Sequence, residues 1–198
     1  MTIIFFIKSK TVNIDKYTKK DIPGSTGRLD VISRCVLSAI LNNNDFERNV
    51  QIWVFLDGYG NFIFNPKFFN YEFFPKNELF FTDYFVKYLK KNNSIEDQSP
   101  NLLNSIKRSN MNIIDAIIYF KKLNYNLYIL YERGRDFFKL SSRIREEENT
   151  VFIIGSQEDE YLYSKELSTL KIPTISMGNQ SYLASSVIRL LKLHLLAL

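Results

Sequence analysis

The chain has 198 residues, of which 45% are apolar and 15% aromatic, enough to fill a sizeable core, so it is not a disordered sequence. Its charge is +5, from 26 basic and 21 acidic side chains, an excess that permits a nucleic-acid partner without requiring one. Cys35 and His194 are the only cysteine and histidine, which excludes an intrachain disulfide and a multi-histidine metal site and makes a Ser-His-Asp arrangement improbable.

Ile3 to Ile7 is a continuous apolar run of strand length, as expected for a strand buried on both faces. It is far too short to cross a membrane and precedes no signal-peptide pattern. Lys8, Lys10, Lys16, Lys19 and Lys20 follow in a polar loop. The loop leads to Ile22-Pro23-Gly24-Ser25-Thr26-Gly27-Arg28-Leu29-Asp30, which reads as a tight turn feeding straight into a helix. Ser25 or Thr26 can cap the helix, and Leu29, Ile32, Val36, Ala39 and Ile40 recur at helical spacing. Arg28 and Asp30 stand in the first turn, where free N–H groups and the helix dipole favour an anion such as a phosphate. Asp30 and Arg34, four apart, can instead form a local pair.

Val50 to Leu56 is a second buried strand, and residues 57–61 form a turn. The segment 62–74 carries seven aromatic residues and partly alternates, which predicts a strand or hairpin. Interleaved with Lys67, these rings can stack RNA bases, but rings of this kind more often belong to a core or a dimer interface. Helices are expected over 78–91, 111–123, 158–170 and 182–196, and strands over 127–131, 151–154 and 173–176. Residues 92–100 read as a polar linker. Glu146, Glu147 and Glu148 read as a solvated face, and Glu158, Asp159 and Glu160 as acids opening a helix. Arg189 and Lys192 make the last helix amphipathic and not a membrane span.

Alternating strands and helices predict an α/β fold with a mostly parallel sheet, in which ligands bind beyond the carboxyl ends of the strands. Three late strands end in glycine-bearing turns, at Gly134, Gly155 and Gly178. Such turns can gather around one small molecule, although ordinary strand-to-helix turns favour glycine too. No GxGxxG follows the first strand and there is no Walker loop.

The run Pro23-Gly24-Ser25-Thr26-Gly27-Arg28-Leu29-Asp30, with Ser33-Arg34-Cys35 after it, resembles the N-terminal signature of the archaeal tRNA pseudouridine N1-methyltransferases, which belong to the SPOUT class. The similarity continues through Ser99-Pro100, Asn126 to Leu130 with Gly134, Val151 to Gly155 and Ile175-Ser176. It implies a single SPOUT domain over 1–198 with a C-terminal trefoil knot, a rare exception to the rule against threaded chains. It also implies a homodimer packed through the knots and S-adenosylmethionine as cofactor, while the single cysteine, Cys35, points to a cytoplasmic setting. Leu130, Gly134, Gly155, Ser176, Met177, Gly178, Gln180, Ser181 and Tyr182 are then the cofactor-binding candidates.

The implied reaction is methyl transfer to N1 of pseudouridine 54 in the tRNA T-loop. Arg28 and Asp30 are the catalytic candidates: Asp30 to accept or orient the N1 proton, Arg28 to hold a phosphate or polarise a base carbonyl. Arg28, Arg34, Lys20 and Arg133 are the candidates for contact with RNA, with Lys8, Lys10, Lys19 and Arg135 guiding its backbone. No metal and no membrane are expected.

The sequence departs from the family after Gly155, where a longer Asp-His-Ile-Gly-Ile-Gly segment is usual, and at Gly178 to Leu183, which replaces Ser-Pro-Leu-Glu-Leu-His. Asn101 and Val187 replace a glycine and a cysteine. Two other readings follow: a dimer that keeps the fold and RNA binding without methyl transfer, and a SPOUT methyltransferase with another base as target.

Overall fold

The computed structural model describes residues 1–91, 101–155, 162 and 164–196. A seven-stranded sheet runs in the order β4-β3-β2-β1-β6-β5-β7. Its strands are β1 (Thr2–Ser9), β2 (Val50–Leu56), β3 (Gly60–Phe64), β4 (Lys107–Ser109), β5 (Asn126–Asp136), β6 (Asn149–Ile154) and β7 (Thr174–Ser176). Every pairing among β2, β1, β6, β5 and β7 is parallel, while β3 and β4 add antiparallel strands at one edge. The helices are α1 (Ile22–Ser25), α2 (Leu29–Ile40), α3 (Glu78–Lys91), α4 (Ile113–Lys122), α5 (Phe137–Arg145), α6 (Lys165–Thr169) and α7 (Ala184–Leu196).

The apolar run of β1 is explained by its place in the middle of the sheet, covered on both faces. Ile3, Phe5 and Ile7 point into the larger core, with α2, α3, α5 and α7, while Ile4 and Phe6 point into the smaller one, with α4 and α6. Strict alternation of side-chain direction splits β2 in the same way, Ile52 and Val54 to one side and Trp53 and Phe55 to the other.

Several expectations are corrected. The aromatic segment is no continuous hairpin: β3 ends at Phe64 and a 3-10 turn, Pro66–Phe68, follows. Phe62, Phe64 and Phe74 are core, packed edge-on against the ring of Phe85 or of Phe46, whereas Phe68 and Phe73 stay exposed. Packing against α3 outweighs alternation here. Strand β4 and helix α5 were not anticipated, and β5 continues to Asp136. The signal for α5 was present: Phe137, Leu140 and Ile144 share one helical face, and the Asp136 carboxylate accepts the Phe138 N–H at 2.9 Å as a cap. Within 158–170 the described helix is Lys165–Thr169. The reading of 92–100 as a linker, and that of Glu158, Asp159 and Glu160, lie outside the described residues.

The pairing of β5 with β7 shapes everything at this end of the sheet. Ile175 is the partner of both Leu130 and Arg135, so residues 131–134 bulge out between two contacts with the same short strand. Gly134 lies directly against the Ile175 backbone: a Cβ there would stand 2.5 Å from its carbonyl carbon.

Candidate active site

Helix α2 begins with an arginine in an unusual state. Arg28 precedes Leu29 with φ 71° and ψ 33°, in the left-handed region that branched and long side chains avoid. Its surroundings hold it there. The Thr26 hydroxyl donates to the Ile22 carbonyl at 2.6 Å and accepts the Leu29 N–H at 3.1 Å, so Thr26 supplies the cap. Gly27 has φ 56°, and a Cβ on it would lie 1.8 Å from the Thr11 carbonyl oxygen, so only glycine fits. Strain concentrated beside a charged side chain is characteristic of functional sites.

The guanidinium of Arg28 then turns back onto Asp30, with Nε at 3.0 Å from Oδ1 and Nη2 at 3.3 Å from Oδ2. Arg34 Nη2 reaches Oδ2 at 2.8 Å, the pair expected from the spacing. Asp30 is 2% exposed and therefore sits as a buried anion between two cations. The hydrogen bond that Arg28 donates to Asp30 holds the guanidinium even more firmly protonated. A carboxylate engaged at both oxygens is an anchor. This geometry favours the pairing role of Asp30 over proton acceptance.

A second buried carboxylate holds the loop before this motif. Asp83 of α3 accepts from Tyr17 Oη at 3.1 Å, Lys19 Nζ at 2.8 Å and Lys87 Nζ at 3.1 Å. Burial alone would raise its pKa; the hydrogen bonds from Lys19, Lys87 and Tyr17 outweigh that and hold it below the ordinary value. Lys20, exposed, thus projects from a loop tied down at Tyr17 and Lys19.

Beyond the carboxyl ends of β5, β6 and β7 lies a cavity of about 340 Å³. Its position is the one open parallel sheets reserve for ligands. Leu130, Gly155, Ser176, Met177, Gly178, Gln180, Ser181 and Tyr182 all line it, and so does Arg28. The turn after β7 is closed by Ser176, whose hydroxyl accepts the Gly178 N–H at 3.1 Å and donates to its carbonyl at 2.9 Å. Gly134 is not on the lining; it packs beneath Ile175 and supports the wall from behind. Lys20, Arg34 and Arg133 do not line it either.

Sequence reasoning missed Val31, Ile154, Ile175, Leu183, Ala184 and Val187, which add apolar wall, and Tyr131 and Glu132, brought in by the bulge of β5. No periodicity announces a bulge, although Glu132 directly follows the predicted strand 127–131.

Arg34 instead borders a second cleft, of about 890 Å³, between α2 and α7. There Lys192 Nζ donates to the carbonyls of Ser38 at 3.0 Å and Leu41 at 2.7 Å, satisfying groups that the end of α2 leaves free. Burial pushes the pKa of Lys192 down to about 8. Burial likewise pushes the Cys35 thiol up to about 12, so it is no nucleophile. Among the described residues no cluster of three His, Cys, Asp or Glu can hold a metal ion, and no helix is long and apolar enough to cross a membrane.

Residues 2–198 match the family model described as "Putative SAM-dependent RNA methyltransferase". The chain is 30% identical over 201 residues to a tRNA (pseudouridine(54)-N(1))-methyltransferase of Thermococcus onnurineus, covering 96% of this chain and 95% of that one. It is 28% identical to the enzyme of the same name from Methanocaldococcus jannaschii, over 90% of this chain and 88% of that one. Among solved structures, Archaeoglobus fulgidus Nep1 bound to S-adenosylhomocysteine shares the fold, with a TM-score of 0.65 and 15% identity over 98% of this chain and 97% of the other. With a family model matched nearly end to end and relatives at 30% identity over almost their whole length, the chain belongs to the SAM-dependent RNA methyltransferase family and sits with its tRNA (pseudouridine(54)-N(1))-methyltransferases.

Proposed function

We propose that this protein transfers a methyl group from S-adenosylmethionine to N1 of pseudouridine 54 in tRNA. The observation that carries the reading is the convergence of the β5 bulge, the end of β6 and the turn after β7 on one cavity whose wall includes Arg28 of the N-terminal motif. The lining fits the cofactor chemically. Leu130, Ile154, Ile175 and Val187 give an apolar surface for a flat base, and Ser176, Gln180, Ser181 and the backbone of the turns give hydrogen-bonding groups for a ribose and an amino-acid tail. When bound, the cofactor supplies an electrophilic methyl group on a sulfonium.

The chain's own residues position the nucleophile. Arg28, held by Asp30, presents a guanidinium at the cavity wall that can clamp a phosphate or polarise a base carbonyl. Lys20, Arg34 and Arg133 supply further positive charge for the RNA backbone. The target base leaves its stack to reach the cavity. In this reading the protein is one domain that acts in the cytoplasm as a homodimer with a threaded, trefoil-knotted C-terminal half.

The test is incubation of unmodified-N1 tRNA with protein and cofactor, followed by nucleoside mass spectrometry. N1-methylpseudouridine at position 54 is the expected product. Methylation of another base, or none despite cofactor binding, would overturn the assignment.

A further inference from the structure

Among the described residues, Glu132 is the one acid on the cavity wall, and the only other charged group there is Arg28. The two differ in how far they are neutralised. Arg28 is tied to Asp30 at 3.0 Å. Glu132 enters none of the ion pairs formed among the described residues. It is exposed on the bulge of β5, between the two positions at which β5 meets Ile175. No ion pair among the described residues cancels its charge, so that charge acts on whatever occupies the cavity.

We propose that Glu132 is a charge-selecting residue of this site: its carboxylate favours a sulfonium-bearing ligand over the neutral thioether that remains when the methyl group has left. The inference rests on the cofactor reading above and deepens it. S-adenosylmethionine and S-adenosylhomocysteine share their ammonium and carboxylate, so the two differ by one positive charge at sulfur and one methyl group. A cavity of about 340 Å³ is equivalent to a sphere roughly 9 Å across, so any bound sulfur lies within about that distance of the wall. At that separation and an effective dielectric of about 20 to 40, one unit charge alters the binding constant of another by about five- to twentyfold. Removing the Glu132 charge while keeping its shape should thus penalise one ligand and spare the other. The consequence for turnover is release: after transfer, the site loses its electrostatic hold on the spent ligand.

Calorimetric titration of wild-type protein, Glu132→Gln and Glu132→Asp with each of the two compounds tests this. The expected result is at least a fivefold weakening of S-adenosylmethionine in Glu132→Gln and less than a twofold change for S-adenosylhomocysteine. Glu132→Asp, which keeps the charge, should retain most of the wild-type ratio. Equal weakening of both compounds would mean that the carboxylate meets the shared ammonium, and would overturn the proposal, as would no change in either. A wild-type protein that binds neither compound would refute the cofactor reading itself, a distinct outcome from binding both with a ratio indifferent to residue 132.

Discussion

Gly134→Ala is the smallest change that reaches the centre of this architecture. The added methyl would stand 2.5 Å from the Ile175 carbonyl carbon and 2.6 Å from its nitrogen. Both are backbone atoms, so no rotamer change can relieve the contact; β5 and β7 must separate. Overpacking of this kind costs about 1–3 kcal/mol, and with backbone on both sides the upper end applies. The residue is not in the left-handed region, so alanine itself is unstrained and recovers about 0.4–1 kcal/mol by stiffening the unfolded chain. The net loss is about 2 kcal/mol, or a fall in Tm of roughly 4–8 °C for a chain of this size. Because Ile175, Ser176 and Gly178 line the cavity, the same shift should weaken cofactor binding by more than tenfold although Gly134 itself does not reach the cavity. Urea unfolding and calorimetry measure the two effects. A variant with wild-type midpoint and wild-type affinity would refute the claim that this close approach sets the site.

Other outcomes follow from the two buried carboxylates and from the basic loop. Asp30→Asn should cost roughly 2 kcal/mol in urea unfolding, the worth of charge-assisted hydrogen bonds to a partly exposed pair of arginines, and should weaken tRNA binding by releasing Arg28. Undiminished stability would show that the arginines do not need the anchor. Asp83 has a folded pKa below its unfolded value, so its stabilising contribution is present above pH about 4 and is lost as pH falls through the folded pKa. Asp83→Asn should therefore lower stability at pH 6 and leave a shallower decline between pH 5 and 3; parallel pH profiles would contradict the assignment. Affinity for tRNA should fall steeply with added salt, and replacing Lys20 and Arg133 by alanine together should reduce the slope of log K against log salt by about 1 to 2. An unchanged slope would remove both residues from the RNA interface.

Much of this molecule can be read from its residues because two periodicities dominate it. The apolar runs of β1, β2 and β6 mark strands buried on both faces, and the helical spacing of Leu29, Ile32, Val36 and Ile40 marks α2. The Asp30–Arg34 pair follows from the four-residue spacing alone. What could not be read was set by contacts distant in sequence. Phe68 and Phe74 look alike in the aromatic segment, yet one faces solvent and the other packs against Phe46 and Phe81, a choice made by where α3 lies. Gly134 reads as a turn glycine at the ligand, but its reason is the Ile175 backbone. Asp30 is a candidate base only through the family resemblance; the left-handed backbone at 28 turns the Arg28 guanidinium back onto both of its oxygens. Glu132 enters the site through a bulge, which has no pattern.

The central claim is that backbone at the ends of β5, β6 and β7 gathers around one adenosyl ligand. Amide hydrogen exchange, read by mass spectrometry with and without saturating S-adenosylmethionine, tests it most directly. The account predicts protection confined to peptides covering residues 130–134, 154–155 and 176–183. Protection at the cleft between α2 and α7 instead, or none at saturation, would contradict it.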